Sequence, residues 1–348
     1  MTLPNKMRAV VKPAAAPGLE MTLVDLPAVG PSDVLIKVRA ASICGTDLHI
    51  FNWDPWAQGR IQPPLIVGHE FCGDVVAVGS EVHSHKVGDY ISAESHIVCG
   101  TCSYCRTGRG HLCPNTQIIG VDRDGAWADY VVIPAVNAWP NPPEIPPHIA
   151  TLEENFGNAV HTAFAVDLRS KKVLVTGCGP VGVMAIAVVR AIGARSIIAT
   201  DISDYRLELA KKVGADHTIN ALHQDVVAEI MAITDGEGVD AWLEMAGAPS
   251  AISEGFQALK FGGDVALLGI PSTPMTFDLA DWVIFKGATV HGIVGRRLWE
   301  TWFQMQGLLR SGVVDLEKLV THTFPLEQFE EAVRTMASGE SGKIVLIP

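Results

Sequence analysis

The chain has 348 residues, of which 38 are acidic and 26 basic, giving a net charge of -12. That length exceeds one ordinary hydrophobic core and predicts two globular domains. The acidic balance, with no Lys/Arg-rich run, excludes nucleic acid and anionic membrane surfaces as expected partners.

The segment Met1 to Arg8 has no apolar stretch after a charged start, so no secretory leader is read there and a cytoplasmic protein is expected. The most apolar run, Val173 to Val189, is marginally short for a span and carries Gly-x-Gly-Pro in its interior. A buried strand and helix are expected there, not a membrane segment. Four of the seven cysteines lie between residues 99 and 113, and in a cytoplasmic chain such clustering predicts metal before disulfides.

From Met7 to about Pro134 the pattern is mostly strand-like: Ala9–Val11, Met21–Val24, Val34–Val38, Asp74–Val78 and Asp129–Ile133, separated by Gly, Pro, Asn and Asp turns. This half reads as an irregular antiparallel β domain. Six prolines in the fourteen residues from Pro134 to Pro147 exclude a regular helix and predict an extended passage to a second domain. Phe156–Val166 is expected as a helix. Strands then alternate with helices: Val173–Thr176, Val181–Ile192, Ser196–Thr200, Tyr205–Val213, Val239–Glu244, Ala251–Leu259 and Asp264–Gly269. That order predicts βαβ units on a parallel sheet. After Arg297 the alternation stops, with helical spacing at Trp299–Leu309 and Leu326–Ser338 and a terminal strand at Lys343–Ile347; this tail is expected to return to the first domain. The expected domains are therefore 1–152 with 299–348, and 153–298.

Gly177-Cys178-Gly179-Pro180-Val181-Gly182 is a G-x-G-x-x-G between a predicted strand and an apolar helix. Gly177 allows the tight turn, Gly179 the approach of a pyrophosphate, and Gly182 the close packing of helix on strand, with the helix N-terminus facing the phosphates. Asp201 stands 19 residues beyond Gly182 at the end of the next strand, where a carboxylate accepts from ribose hydroxyls and repels a 2′-phosphate. NAD is expected over NADP, with Arg206 against the adenine.

Cys99, Cys102, Cys105 and Cys113 form C-x2-C-x2-C-x7-C, a set for closed, structural zinc. The bacterial ferredoxin spacing has three residues before its last cysteine, not seven, so an iron–sulfur cluster is disfavoured. A second set, Cys44, His69 and a carboxylate, either Glu70 or Glu154, has the composition of a catalytic zinc with one open position. Taken singly, each of these residues is as well explained by packing, a core hydrogen bond or a helix N-terminus. Cys72 and Cys178 are read as packing residues.

The motifs Ser42-Ile43-Cys44-Gly45-Thr46-Asp47-Leu48-His49, Trp53-Asp54-Pro55-Trp56, Gly68-His69-Glu70, Glu94-Ser95-His96-Ile97-Val98-Cys99-Gly100, Phe156-Gly157-Asn158-Ala159-Val160-His161-Thr162 and Gly295-Arg296 carry a resemblance. Over nearly its full length the chain resembles the zinc-dependent medium-chain alcohol dehydrogenases, and the last three motifs are similar to those of members acting on L-threonine. The resemblance implies an α/β protein: a GroES-like β domain, a Rossmann domain with a doubly wound parallel sheet, and a substrate cleft between them. It implies one catalytic zinc on Cys44, His69 and Glu70, with Glu154 able to exchange, and one structural zinc. It also implies a proton relay through Thr46 and His49, with His96 beside the substrate. Its NAD contacts correspond to Val181, Asp201, Arg206, Leu268, Gly269, Ile270, Ile293 and Val294. The implied substrate is a small amino acid, the 3-hydroxyl of L-threonine being oxidised to 2-amino-3-oxobutanoate, and the implied assembly is a homotetramer. Glu154, His96 and Arg296 are candidates to pair the substrate's ammonium and carboxylate. Where the family usually has a proline, this chain has Asn155. The rival readings are a polyol or 2,3-butanediol dehydrogenase on the same scaffold, and a catalytically silent, zinc-stabilised nucleotide-binding protein.

Overall fold

The structure is a computed structural model that describes residues 3–348. It divides into two compact units, one running up to Glu154 and resuming at Val320–Pro348, the other Asn155–Leu319.

The first unit is built on the strand Asp33–Ser42. Six of its apolar side chains, Val34, Leu35, Ile36, Val38, Ala40 and Ala41, are buried, while Lys37 and Arg39 in its middle are exposed. It pairs antiparallel with Glu70–Val78, Tyr130–Pro134 and Lys343–Ile347. The sheet extends outward through Tyr90–Ala93 and Ala138–Pro140 on one side and Val320–Pro325 on the other. A separate three-stranded sheet places Lys6–Lys12 between Glu20–Asp25 and Leu65–Ile66. Two short helices, Gly45–Asn52 and Pro55–Arg60, follow the central strand. The expected strands are present here. The helices are absent from the sequence reading because neither is long enough to show an apolar period, although Asp54 as N-cap with Pro55 behind it is a start signal.

Gly68 turns the chain into the strand Glu70–Val78. Its φ is +93°, and a Cβ there would lie 2.1 Å from the indole of the fully buried Trp127. Glycine therefore lets the chain pass close to that ring just before His69 and Glu70.

The second unit holds a six-stranded parallel sheet in the order His217–Asn220, Ser196–Asp201, Lys172–Thr176, Val239–Glu244, Leu259–Leu267 and Thr289–Gly292. In order along the chain these strands run 3-2-1-4-5-6, the doubly wound dinucleotide-binding arrangement. Val173, Leu174 and Val175 are fully buried in the central strand. Trp242, on its neighbour, packs edge-on against Phe256 and donates from Nε1 to Thr176 Oγ1 at 2.9 Å. The alternation expected from the apolar runs is found. The two edge strands, His-Thr-Ile-Asn and Thr-Val-His-Gly, and the helix Val226–Ile233 escape a reading by periodicity because they are short or lack a polar face.

The tail differs from expectation. The chain stays in the second unit through Glu300–Arg310 as far as Leu319 and returns only at Val320. Leu316 and Leu319 are buried, and the turn Glu317–Leu319 rests on the helices Pro180–Ile192 and Asp204–Val213, so burial outweighs the end of the βα alternation. The described residues contain no helix long and apolar enough to cross a membrane.

Replacing Gly68 by Ala adds a strained φ and an overpacked Cβ, with an expected loss of about 3 kcal/mol. Denaturant unfolding followed by Trp fluorescence checks this; an unchanged midpoint would contradict the packing of Trp127 on Gly68.

Candidate active site

Cys44, His69 and Glu70 converge in the first unit, one ligand atom of each lying within 4.8 Å of the others. Cys44 caps the helix Gly45–Asn52, its backbone N–H donating to Asp47 Oδ2 at 2.8 Å. Glu70 is wholly buried: its Oε2 accepts from the Ser42 hydroxyl and the Lys343 ammonium, while Oε1 has no partner. His69 Nδ1 also has none, the nearest Asp47 oxygen being 3.7 Å away. Burial drives the Asp47 carboxyl up to about 6. Burial pulls His69 down, but the charges of Asp47, Cys44 and Glu154 outweigh it and hold the imidazole well above its ordinary value. Negative groups thus gather around one imidazole, with unpartnered nitrogen and oxygen atoms among them. A sulfur, nitrogen and oxygen donor set in such a field fits zinc.

Lys343 stands opposite as the buried counter-charge, also donating to Ile43 O at 3.0 Å. Burial raises the Glu70 carboxyl, but Lys343 and His69 bring it below its ordinary value. Lys343 and Asp47 are site residues that the sequence reading did not assign a role; no local signal links position 343 to position 70.

Thr46, His49, His96 and Glu154 lie in the same unit, whereas Arg296 belongs to the second. Thr46 Oγ1 is 3.9 Å from Cys44 Sγ. His49 is exposed, and its Nδ1 pairs with Asp54 Oδ2, while Asp54 Oδ1 accepts from Ala57 N at 3.0 Å. Asp54 therefore both caps the helix Pro55–Arg60 and orients His49, a second role that its N-cap position alone does not reveal. Glu154, in the first turn of the helix Glu153–Phe164, accepts from Ser95 Oγ at 2.5 Å. The helix forms across Asn155 without the family's proline. Ser95 Oγ is also 3.1 Å from His96 Nδ1.

The sulfurs of Cys99, Cys102, Cys105 and Cys113 are brought together, with separations of 3.5 Å, 3.9 Å and 3.5 Å for the pairs 102–105, 102–113 and 99–113. Four sulfurs each about 2.3 Å from a zinc ion form a tetrahedron with edges of about 3.8 Å. A disulfide would need about 2.05 Å. Backbone N–H groups of Thr101 and Cys102 bring the Cys99 thiol down to about 5. The cluster fits a closed zinc site.

In the second unit the predicted NAD residues gather at the carboxyl ends of the parallel strands. Gly177, at φ +87°, follows Lys172–Thr176, and a Cβ on Gly182 would lie 1.9 Å from Gly177 O. Around Gly179 a Cβ would meet nothing within 4 Å, leaving room for a pyrophosphate before Pro180, the first residue of the helix, and Val181. Asp201 ends the neighbouring strand and accepts from Cys178 N at 2.7 Å and Ser203 N at 2.9 Å. Arg206 is half-buried, its Nε without a partner. Leu268, Gly269 and Ile270 follow the fifth strand, and Ile293 and Val294 the sixth. The amides of Leu268 and Gly269 donate to Glu244 O, and Glu244 Oε1 accepts from the amides of Ala246 and Gly247, so one buried acid pins the loops after the fourth and fifth strands. Cys72 and Cys178 are buried, as expected of packing residues.

A family model for zinc-binding dehydrogenases matches residues 180–311, and one for the alcohol dehydrogenase GroES-like domain matches residues 30–143. The chain belongs to the zinc-binding alcohol dehydrogenase family. It is 52% identical to L-threonine 3-dehydrogenase of Symbiobacterium thermophilum over 98% of either chain. Among solved structures it is similar to an Escherichia coli short chain alcohol dehydrogenase complexed with NADH (TM-score 0.91, 27% identity, 99% of this chain and 100% of that one). It is also similar to 2R,3R-butanediol dehydrogenase from Bacillus subtilis (TM-score 0.88, 28% identity, 98% and 99%).

Lys343→Met leaves the Glu70 carboxylate buried without its cation and is expected to lower stability by about 3–5 kcal/mol, with Lys343→Arg recovering much of it. Thermal unfolding of the metal-free protein is the measurement; equal melting of Lys343→Met and wild type would show that the pair contributes nothing.

Proposed function

We propose that this protein oxidises L-threonine at its 3-hydroxyl to 2-amino-3-oxobutanoate with NAD. The observation that carries the reading is the convergence of Cys44, His69 and Glu70 in a chain 52% identical, over 98% of its length, to an L-threonine 3-dehydrogenase. Cys44, His69 and Glu70 hold zinc, with Glu154 as the alternative carboxylate; Cys99, Cys102, Cys105 and Cys113 hold a second, structural zinc. Zinc bound at the first site would supply a Lewis acid to the substrate hydroxyl, and bound NAD would supply the hydride acceptor.

The chain's own residues bind, orient and move the proton. Thr46 accepts it from the hydroxyl while releasing its own hydroxyl proton toward His49, which, oriented by Asp54, passes a proton to water. The loop Gly177–Gly182 and the helix behind it hold the pyrophosphate, Asp201 accepts from the ribose hydroxyls, and Arg206 lies by the adenine. The loops Leu268–Ile270 and Ile293–Val294 carry the nicotinamide end. His96 and Glu154 of the first unit pair charged groups of the amino acid.

The protein works in the cytoplasm as a homotetramer. Supporting an assembly of like chains, the edge strand Thr289–Gly292 lies in a segment that exposes Leu279, Ile284, Phe285 and Val290. Light scattering is expected to return the mass of four 37.2 kDa chains.

NAD reduction compared across L-threonine, 2R,3R-butanediol and sorbitol tests the function. The expected kcat/KM is highest for L-threonine, is abolished by chelation and returns with zinc; equal or better polyol turnover contradicts the reading. His49→Ala is expected to lower kcat about a hundredfold and alter its pH profile. An unchanged rate and profile would remove His49 from the relay.

A further inference from the structure

Lys12, the last residue of the strand Lys6–Lys12, is wholly buried, yet no carboxylate of the described residues pairs with it. Its three N–H groups find two carbonyls and a ring. Nζ donates to Ala16 O and, at 3.1 Å, to Gly18 O, and it stands 4.8 Å from the centre of the Trp53 indole. Burying a charge without a counter-ion is unfavourable, and methionine would fill similar space without that cost. The contacts of the ammonium therefore call for a role.

All of them bear on one turn. Trp53 ends the helix Gly45–Asn52 in the left-handed region, at φ +56° and ψ +46°, a conformation that bulky side chains rarely adopt. Its amide donates to His49 O, as does the amide of Asp54 at 3.4 Å, and its carbonyl accepts from Gln58 Nε2 at 2.8 Å. The loop that the ammonium holds braces the same helix, Gly18 N donating to Phe51 O at 2.8 Å. The turn at Trp53 sets the course of the next residue, Asp54, whose Oδ2 pairs with His49 Nδ1 while Oδ1 accepts from Ala57 N at 3.0 Å. The exposed His49 ring also lies against Trp56, with centroids 5.8 Å apart. The direction of the imidazole thus depends on Asp54, and that of Asp54 on the left-handed turn before it.

We propose that Lys12 is a positioning residue of the proton relay: by holding the Trp53 ring and the loop 16–18 it keeps the chain in its left-handed turn, so that Asp54 stays engaged with His49. This rests on the proposed relay through Thr46 and His49 and adds to it the residue that fixes its outer end. Lys12 touches neither substrate nor cofactor; it acts through Trp53 and Asp54.

The test uses the zinc-loaded full-length enzyme with L-threonine and NAD, as wild type, Lys12→Met, His49→Ala and the double variant. Lys12→Met is expected to lower kcat about tenfold with KM for L-threonine and for NAD within about twofold, and to give the kcat pH profile the shape it has in His49→Ala. The double variant is expected to turn over within about twofold of His49→Ala alone, because both changes remove the same device. An unchanged kcat or pH profile in Lys12→Met, or a further loss of about tenfold when it is added to His49→Ala, overturns the proposal. Trp53→Leu, which removes the ring and leaves both carbonyl bonds of Lys12, runs through the same cycle and decides the matter should Lys12→Met not fold. A kcat loss that His49→Ala absorbs supports the proposal; no loss, or an additive one, overturns it. If His49→Ala alone turns over like wild type, the relay reading falls and the proposal with it, whereas an additive Lys12→Met beside a slowed His49→Ala overturns the proposal alone. Faster wild-type turnover of 2,3-butanediol than of L-threonine would overturn the threonine reading, and the same cycle run on the diol would still decide the role of Lys12.

Discussion

The negative charge gathered around His69 is the constraint on which the first unit depends. Cys44, Asp47 and Glu154 all act on that imidazole, and Glu70 follows it directly in the chain. Burying so many acids together is unfavourable unless cations enter among them, and the fold brings one from far along the chain, Lys343 on the terminal strand. The unpartnered Glu70 Oε1 and His69 Nδ1 mark where the protein's own groups stop answering that charge. A zinc ion is the remaining cation that the donor set suits.

Local folding serves this convergence at each step. The central strand ends at Ser42, whose hydroxyl bonds Glu70, and Cys44 then begins a helix whose first turn contributes Asp47. Gly68 allows the close approach of Trp127 just before His69. In the second unit the same economy appears at Glu244, one carboxylate and one carbonyl serving two loops at the carboxyl ends of the sheet.

Much of this was legible in the sequence, for identifiable reasons. The apolar runs at Val173–Thr176 and Val239–Glu244 announce buried parallel strands, and the four clustered cysteines announce a metal by number and spacing. Residue type offers Cys44, His69 and either Glu70 or Glu154, the family resemblance implies Glu70, and the structure brings Cys44, His69 and Glu70 together. What stayed hidden was non-local or polar. Lys343 pairs with a residue 273 positions away, and nothing in its own strand distinguishes it from a surface lysine. The edge strands carry too few apolar residues for periodicity to register. The tail segment 299–319 was misplaced because the loss of βα alternation says nothing of which unit buries Leu316 and Leu319.

The central claim is that Cys44, His69 and Glu70 form a metal centre distinct from the four-cysteine site. Zinc content of the purified protein, combined with X-ray absorption at the zinc edge, tests it most directly. The expected result is two zinc ions per chain, with a shell that averages one all-sulfur site and one of mixed sulfur, nitrogen and oxygen. A single zinc in an all-sulfur shell would contradict it.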